Sequence, residues 1–367
     1  MDDNRKTIIP IVPFSQKNDI YSRSYWDPKV KSKKAHSWFL SMLGYRPKIK
    51  KRKGYGQVDF ALRNAAWSLS NFVHKTSFDQ NGRNEGLNAL LTPWGVKSNK
   101  AYVAPENELT KICKDACLMF GASVVGVTKI NYNYHYSHRF DSADCTEKPA
   151  ESLEGLTHCI VIGLEMPYYI VDAYPSAYAG VGPGYGYSQS VLLLQTVTSF
   201  IRQLGYNATA SLNDTAQGIP YAIDAGLGEY GRNGVLINEE FGTRLRIGKI
   251  FTDIPLTVDN PVKFGVEELC NVCRKCTESC PPKAIPNGEP SYEIHNISNV
   301  QGIKKWTIDA EKCFNFWVAQ GTECGLCLKV CPFNKKDSDN IIQLYRTVVF
   351  KILLKLKWYR LLLLLKT

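Results

Sequence analysis

The stretch Cys270-Asn-Val-Cys273-Arg-Lys-Cys276-Thr-Glu-Ser-Cys280-Pro281 carries three cysteines with two residues between neighbours, a fourth three residues further on, and a proline behind it. This is the bacterial ferredoxin run. Three thiolates at that spacing wrap a tight turn around three irons of one cubane, and the fourth points away towards a second cluster. A stretched partner follows at Cys313, Cys324, Cys327 and Cys331-Pro332. By the crossed rule of two-cluster ferredoxins, Cys270, Cys273, Cys276 and Cys331 hold one 4Fe–4S cluster, and Cys280, Cys313, Cys324 and Cys327 hold the other. Structural zinc also uses Cys-x2-Cys pairs. Two Cys-x2-Cys-x3-Cys-Pro ends in one segment favour iron–sulfur chemistry over zinc.

Working outward, the chain has 367 residues and 12 cysteines, and eight of the twelve fall in this one segment. A disulfide scaffold would spread its cysteines through a short secreted chain. Cys113 and Cys117 fall on the apolar face of a helix and read as core residues. A ferredoxin needs only about 60–80 residues, the size of a small domain, so most of the chain must hold whatever accepts the electrons. The expected divisions are an N-terminal unit over 1–104 that packs on the core, a catalytic domain over 105–262, a two-cluster ferredoxin-like domain over 263–338, and a basic hydrophobic tail over 339–367. In the catalytic domain, Leu109, Ile112, Cys113, Ala116, Cys117 and Phe120 recur at helical spacing. Ala122–Val127 and Cys159–Leu164 read as buried strands, with an aromatic run, Tyr132–Tyr136, between them. The segment Gly180–Ser188 reads as a glycine-rich loop, with Ser188 capping a helix that runs to about Leu204. The pattern predicts an α/β (α+β) core followed by the cluster domain.

The net charge of +11 suits an anionic surface, an acidic redox partner or nucleic acid. No helix-turn-helix, RNP or zinc-finger pattern accompanies it, so DNA is not expected as a partner. The tail beyond residue 340 carries six cations and no acid. It is too charged for a simple transmembrane span, which leaves docking on a membrane surface, on a membrane-anchor protein or on its own domain. No signal peptide or twin arginine opens the sequence. The expected location is therefore cytoplasmic or membrane-associated, or the outer face of the membrane if a leader has been removed.

A formal G-x-G-x-x-G occurs at Gly226, Gly228 and Gly231. The dinucleotide reading needs a strand before it and an acid about twenty residues on. Pro220–Ala225 is a poor strand and the later position falls at Ile250 and Phe251. The three glycines instead suit close backbone approach to another flat cofactor.

The stretches Ala225–Ile237, Phe241–Arg246 and Thr252–Leu256, together with Cys313-Phe-Asn-Phe-Trp317 and Cys331-Pro-Phe-Asn-Lys335, resemble the signature of the corrinoid-dependent reductive dehalogenases. The resemblance covers about 105–336. It implies cobalamin held base-off with no histidine beneath the cobalt, and the absence of an Asp-x-His-x-x-Gly motif agrees. It implies reduction of an organohalide by cob(I)alamin, fed through the two clusters by a donor such as a ferredoxin, a flavodoxin or a membrane redox protein. It also implies a tyrosine as proton donor beside an arginine and an asparagine, and matching the motifs places these at Tyr187, Arg246 and Asn213. Tyr187 would stand just ahead of a helix, whose positive end favours a phenolate, with Tyr185 as competitor. Arg244 would share a strand face with Arg246. Trp317 and Tyr136 are candidate pocket aromatics. Two alternatives stand beside this reading. Epoxyqueuosine reductase, a tRNA-modifying enzyme, is similar in cofactors but carries a different glycine loop. The other is a corrinoid and iron–sulfur electron carrier that does not dehalogenate.

Overall fold

The computed structural model describes residues 11–42, 44, 45, 47–77, 90, 97–334, 349, 352, 353, 355–358 and 361. Most of the 339–367 tail lies outside the described residues. Among the described residues, no helix is long and apolar enough to cross a membrane.

Four strands make the central sheet: β1 (Val124–Lys129), β2 (His158–Glu165), β3 (Ala208–Ser211) and β4 (Leu245–Thr252), in the order β1-β2-β4-β3. Every pairing is antiparallel, with Val161 opposite Gly126 on one side and Lys249 on the other. The core is thus the α+β form of the expected class. β2 is a nearly unbroken apolar run, as a central strand covered on both faces must be. Its alternate residues divide between two cores. Ile160, Ile162 and Leu164 pack with Leu194 and Val197, while Cys159 and Val161 pack with Tyr221, Ala222 and Phe251.

Seven helices matter for the site. These are α1 (Lys33–Met42), α2 (Gln57–Ser77), α3 (Glu106–Met119), α4 (Val181–Gln203), α5 (Gly218–Asp224), α6 (Val266–Cys273) and α7 (Ala310–Gln320). α3 forms as its periodicity predicts, with Leu109, Cys113, Ala116 and Cys117 inward, Pro105 at its N-cap and Gly121 at φ +105° just past its end. Cys113 and Cys117 lie in the main core, where burial pushes both thiols up to about 12.

The segment Gly180–Ser188 is not a loop. α4 begins at Val181, so the glycines form its first two turns and Ser188 lies inside it. Glycine is a poor helix former, but here its missing side chain is what packing requires. A Cβ at Gly184 would strike the indole of Trp67 on α2, and one at Gly186 would strike the Arg246 side chain. Pro183 falls in the first turn, where a helix has no need of its N–H.

The N-terminal residues dock on the cluster domain. Trp38 of α1 packs edge-on against Phe314 of α7 at 5.7 Å between ring centres. Buried Arg23 pairs with Asp27 and with Glu311. Part of the basic excess is used within the fold: Lys48 donates to the Ala319 carbonyl at 2.7 Å and Lys50 to that of Gln320 at 2.8 Å. Both cations cap the negative end of α7.

Candidate active site and cluster ligands

A cavity of about 770 Å³ opens between the sheet, α4, α5 and the cluster domain. Three polar side chains meet at its wall. Tyr187 comes from the second turn of α4, Asn213 from the turn after β3, and Arg246 from the start of β4. The Asn213 side-chain amide donates to the Tyr187 hydroxyl. The Arg246 guanidinium lies over the Tyr187 ring, 4.5 Å from its centre. Trp67 stacks on the tyrosine at 4.8 Å. Tyr187 is 6% exposed, whereas its competitor Tyr185 is 44% exposed and does not line the cavity. The structure therefore brings together the three residues named from sequence. Tyr187 lies within α4 rather than ahead of it, so Asn213 and Arg246, rather than the helix end, are its polar surroundings.

The turn that carries Asn213 is tied down on both sides. The neighbouring Asp214 carboxylate accepts from the Leu212 amide at 2.6 Å and the Thr215 hydroxyl at 2.8 Å. Lys249, fully buried on β4, donates to the Leu212 carbonyl. Burial pushes the Asp214 carboxyl up to about 6, against the pull of the Lys249 ammonium. Burial likewise lowers the Lys249 ammonium, and Asp214 opposes that shift. Tyr136 also lines the cavity, and burial, with the Asp19 and Asp214 carboxylates nearby, holds its hydroxyl firmly protonated.

Other expected residues fall elsewhere. Trp317 is absent from the cavity wall and packs beside Trp38 at 6.3 Å. Arg244 precedes β4 and turns away from Arg246. It is buried against Glu165 and the Met166 carbonyl, with Tyr168 beneath it. Gly226, Gly228 and Gly231 admit protein rather than a ligand. A Cβ on them would meet Asn260, the Ile237 backbone and the Ile237 side chain respectively. Their loop reaches the cavity through Tyr230, Gly234, Val235 and Leu236. Sequence reasoning missed Trp67, which lies in the weakly patterned first hundred residues, and Lys304 and Lys305, whose charges carry no motif.

Four of the eight cysteines, Cys270, Cys273, Cys276 and Cys331, share one small cavity. Cys280 packs with Cys313 and Cys327 beside Ile285 and Ile308, and Cys276 also lies against this group; Cys324 is in electrostatic reach of Cys280 and Cys313. Burial pushes the Cys270 thiol up to about 12, Cys276 to about 11 and Cys313 to about 12, with repulsion among neighbouring thiols adding to it. Four bare thiolates are unfavourable there, so the sets fit ligands that need the positive charge of a metal core. No three His, Cys, Asp or Glu side chains among the described residues converge closely enough for a single metal ion. Gly234 of the cavity wall lies against Ile308, which packs with Cys280, Cys313 and Cys327, so the second set is on the side of the active-site cavity.

Comparison with known proteins agrees with this geometry. The model of the 4Fe-4S double cluster binding domain matches residues 269–334. The tetrachloroethene reductive dehalogenase of Sulfurospirillum multivorans is 32% identical over 353 residues, covering 85% of this chain and 70% of that one. The chain belongs to the reductive dehalogenase family. The solved structure of a catabolic reductive dehalogenase, NpRdhA, superposes with a TM-score of 0.74 at 20% identity, over 99% of this chain and 47% of that one. The reductive dehalogenase fold thus extends through the whole described chain, although this chain spans about half the length of that structure. The likeness to the epoxyqueuosine reductase of Lactococcus garvieae is narrower, 30% identity over 132 residues and 35% of this chain. Among reductive dehalogenases, therefore, the chain is an oxidoreductase.

Proposed function

We propose that the chain removes halide from an organohalide by reduction, with cobalamin in the 770 Å³ cavity, two 4Fe–4S clusters as its electron supply, and Tyr187 as proton donor. The observation that carries this reading is the Asn213–Tyr187–Arg246 group at the wall of that cavity. The cavity is far larger than a small organohalide needs. Its apolar walls, among them Leu212, Ile223, Leu236 and Ile247, suit a flat macrocycle. No histidine is among the lining residues, in keeping with a base-off cofactor without a protein ligand. Lys304 and Lys305 would face its anionic phosphate.

When bound, cobalamin supplies a low-potential, nucleophilic cobalt that delivers electrons to the carbon–halogen bond. The balance is one organohalide, two electrons and one proton in, and one halide ion out with the product that carries hydrogen in place of that halogen. The chain's own residues supply the proton and its setting. Tyr187 holds the proton on its hydroxyl. A phenol with an ordinary pKa near ~10 gives it up only with help. The Arg246 cation over the ring favours the phenolate that remains, and the Asn213 amide donates a hydrogen bond to it. We assign Cys270, Cys273, Cys276 and Cys331 to one cluster and Cys280, Cys313, Cys324 and Cys327 to the other. Electrons would reach them from a low-potential donor protein.

The test is chloride release from tetrachloroethene by anaerobically reconstituted protein with reduced methyl viologen as donor. Stoichiometric corrinoid and continuous chloride release are expected. Fully loaded clusters and corrinoid without chloride release from any haloalkene would count against dehalogenation. Failure to retain a corrinoid at all would reduce the chain to an electron carrier.

A further inference from the structure

Arg232 directly follows the 226–231 glycine turn, and its side chain is 1% exposed. Three of its N–H groups are accounted for. Nε donates to the Cys270 carbonyl at 3.0 Å, and Nη1 donates to the carbonyls of Pro286 and Gly288 at 2.9 and 2.8 Å. The flat face of the guanidinium lies over Trp306, 4.8 Å from the ring centre. Nη2 is buried and has no hydrogen-bond partner among the described residues. A buried donor without an acceptor is costly, and a guanidinium cannot relieve the cost by losing its proton. Its two remaining N–H groups, both on Nη2, therefore lack an acceptor in the protein part of the site.

The missing acceptor has a place. Arg232 lines the same small cavity as Cys270, Cys273, Cys276 and Cys331. Its strongest electrostatic neighbours are Cys276 and Cys270. None of the other four ligand cysteines lines that cavity. A sulfur-rich, negatively charged body enclosed by those four thiolates would meet the orphan N–H directly.

We propose that Arg232 donates a hydrogen bond through Nη2 to a sulfur of the cluster held by Cys270, Cys273, Cys276 and Cys331, and raises that cluster's reduction potential relative to its partner. The inference rests on the assignment of the eight cysteines to two cubanes. Reduction adds one negative charge to a cluster. A fixed cation in a dry site favours the reduced form more than the oxidised one, and hydrogen bonds to sulfur act in the same direction. Arg232 is then a tuning residue for one half of the electron path. The cluster on the side of the active-site cavity, whose ligands it does not line, lacks this influence.

The test is an electron paramagnetic resonance redox titration of both clusters in the wild type, Arg232→Lys and Arg232→Gln, with iron and labile sulfide counted first. A low count in the wild type would undo the two-cluster reading itself and is distinguishable from any change in potential. With both clusters loaded, Arg232→Gln is expected to weaken the reduction of one cluster about tenfold, a fall of about 59 mV for one electron. The other midpoint should stay fixed, and Arg232→Lys should shift less because it keeps the charge. Unchanged midpoints, or equal shifts in both clusters, overturn the proposal. If neither variant loads, the wild type decides by pulsed resonance after labelling with guanidino-15N arginine. A nitrogen coupled to the reduced cluster supports the proposal, and its absence refutes it. Arg274 lines the same cavity, so loss of the coupling in Arg274→Lys would assign it to the wrong arginine.

Discussion

The ring of Trp67 stacks on that of Tyr187 with the planes 29° apart. The Arg246 guanidinium also lies over the Tyr187 ring. The tyrosine is thus held by its ring, and its hydroxyl meets the Asn213 amide. Tyr187→Phe keeps both ring contacts and removes the proton. Dehalogenation should fall by about 10²-fold or more, the usual worth of a positioned general acid, while clusters and corrinoid load normally. Tyr185→Phe, altering an exposed side chain, should remain near wild type. Chloride release measured on both variants checks the assignment, and the opposite ranking would hand the role to Tyr185.

Arg246→Lys should also lose most of its turnover. A lysine keeps the charge but not the planar face that covers the tyrosine ring. The expected fall is about tenfold or more in kcat, since the planar face that positions the tyrosine is lost and misplacement of a reacting group costs at least that much. Arg244→Lys makes a useful contrast. Arg244 is buried against Glu165 and Met166, so its replacement should lower stability before it lowers kcat. Thermal unfolding and steady-state kinetics on the two variants separate these outcomes.

The crossed ligand sets predict which cysteine variants resemble one another. Cys331→Ser should disturb the same cluster signal as Cys276→Ser, although the two positions lie far apart in sequence, and leave the signal lost in Cys324→Ser. Iron should fall from about eight towards about four per chain, as two cubanes require. If Cys331→Ser instead matches Cys324→Ser, the sets are not crossed.

Gly184→Ala reverses a general trend. Inside a helix the change ordinarily gains about 1 kcal/mol. Here the new methyl group meets the Trp67 indole, and overpacking of that kind costs about 1–3 kcal/mol. Anaerobic denaturant unfolding should show a net loss, together with lower turnover because Trp67 supports Tyr187. A gain in stability would mean that the indole can move aside at little cost.

Much of this was legible in the residues. The cysteine spacings carry the cluster domain because ligand geometry leaves few alternatives. The 106–119 helix and the central strand follow from apolar periods of 3.6 and from an unbroken apolar run. The Gly180–Ser188 segment misled because propensity speaks for a loop, while the contacts that favour a helix come from Trp67 and Arg246, more than fifty residues away in either direction. Gly226, Gly228 and Gly231 misled in the same way, since a close approach shows in sequence but the identity of what approaches does not. Trp317 looked like a pocket aromatic until α1 was seen to cover it. The aromatic that does support the tyrosine, Trp67, sits on a helix whose pattern is shared with its ordinary core neighbours.

The interleaving of the two cysteine sets also bears on biosynthesis. The site walled by Cys270, Cys273 and Cys276 lacks its fourth wall until Cys331 arrives. On the ribosome, that cannot happen before the second motif has been translated. Neither cubane can then be sealed by a nascent chain that ends between the motifs. By this order the set that begins first in the chain, at Cys270, is the last to be completed, by the emergence of Cys331.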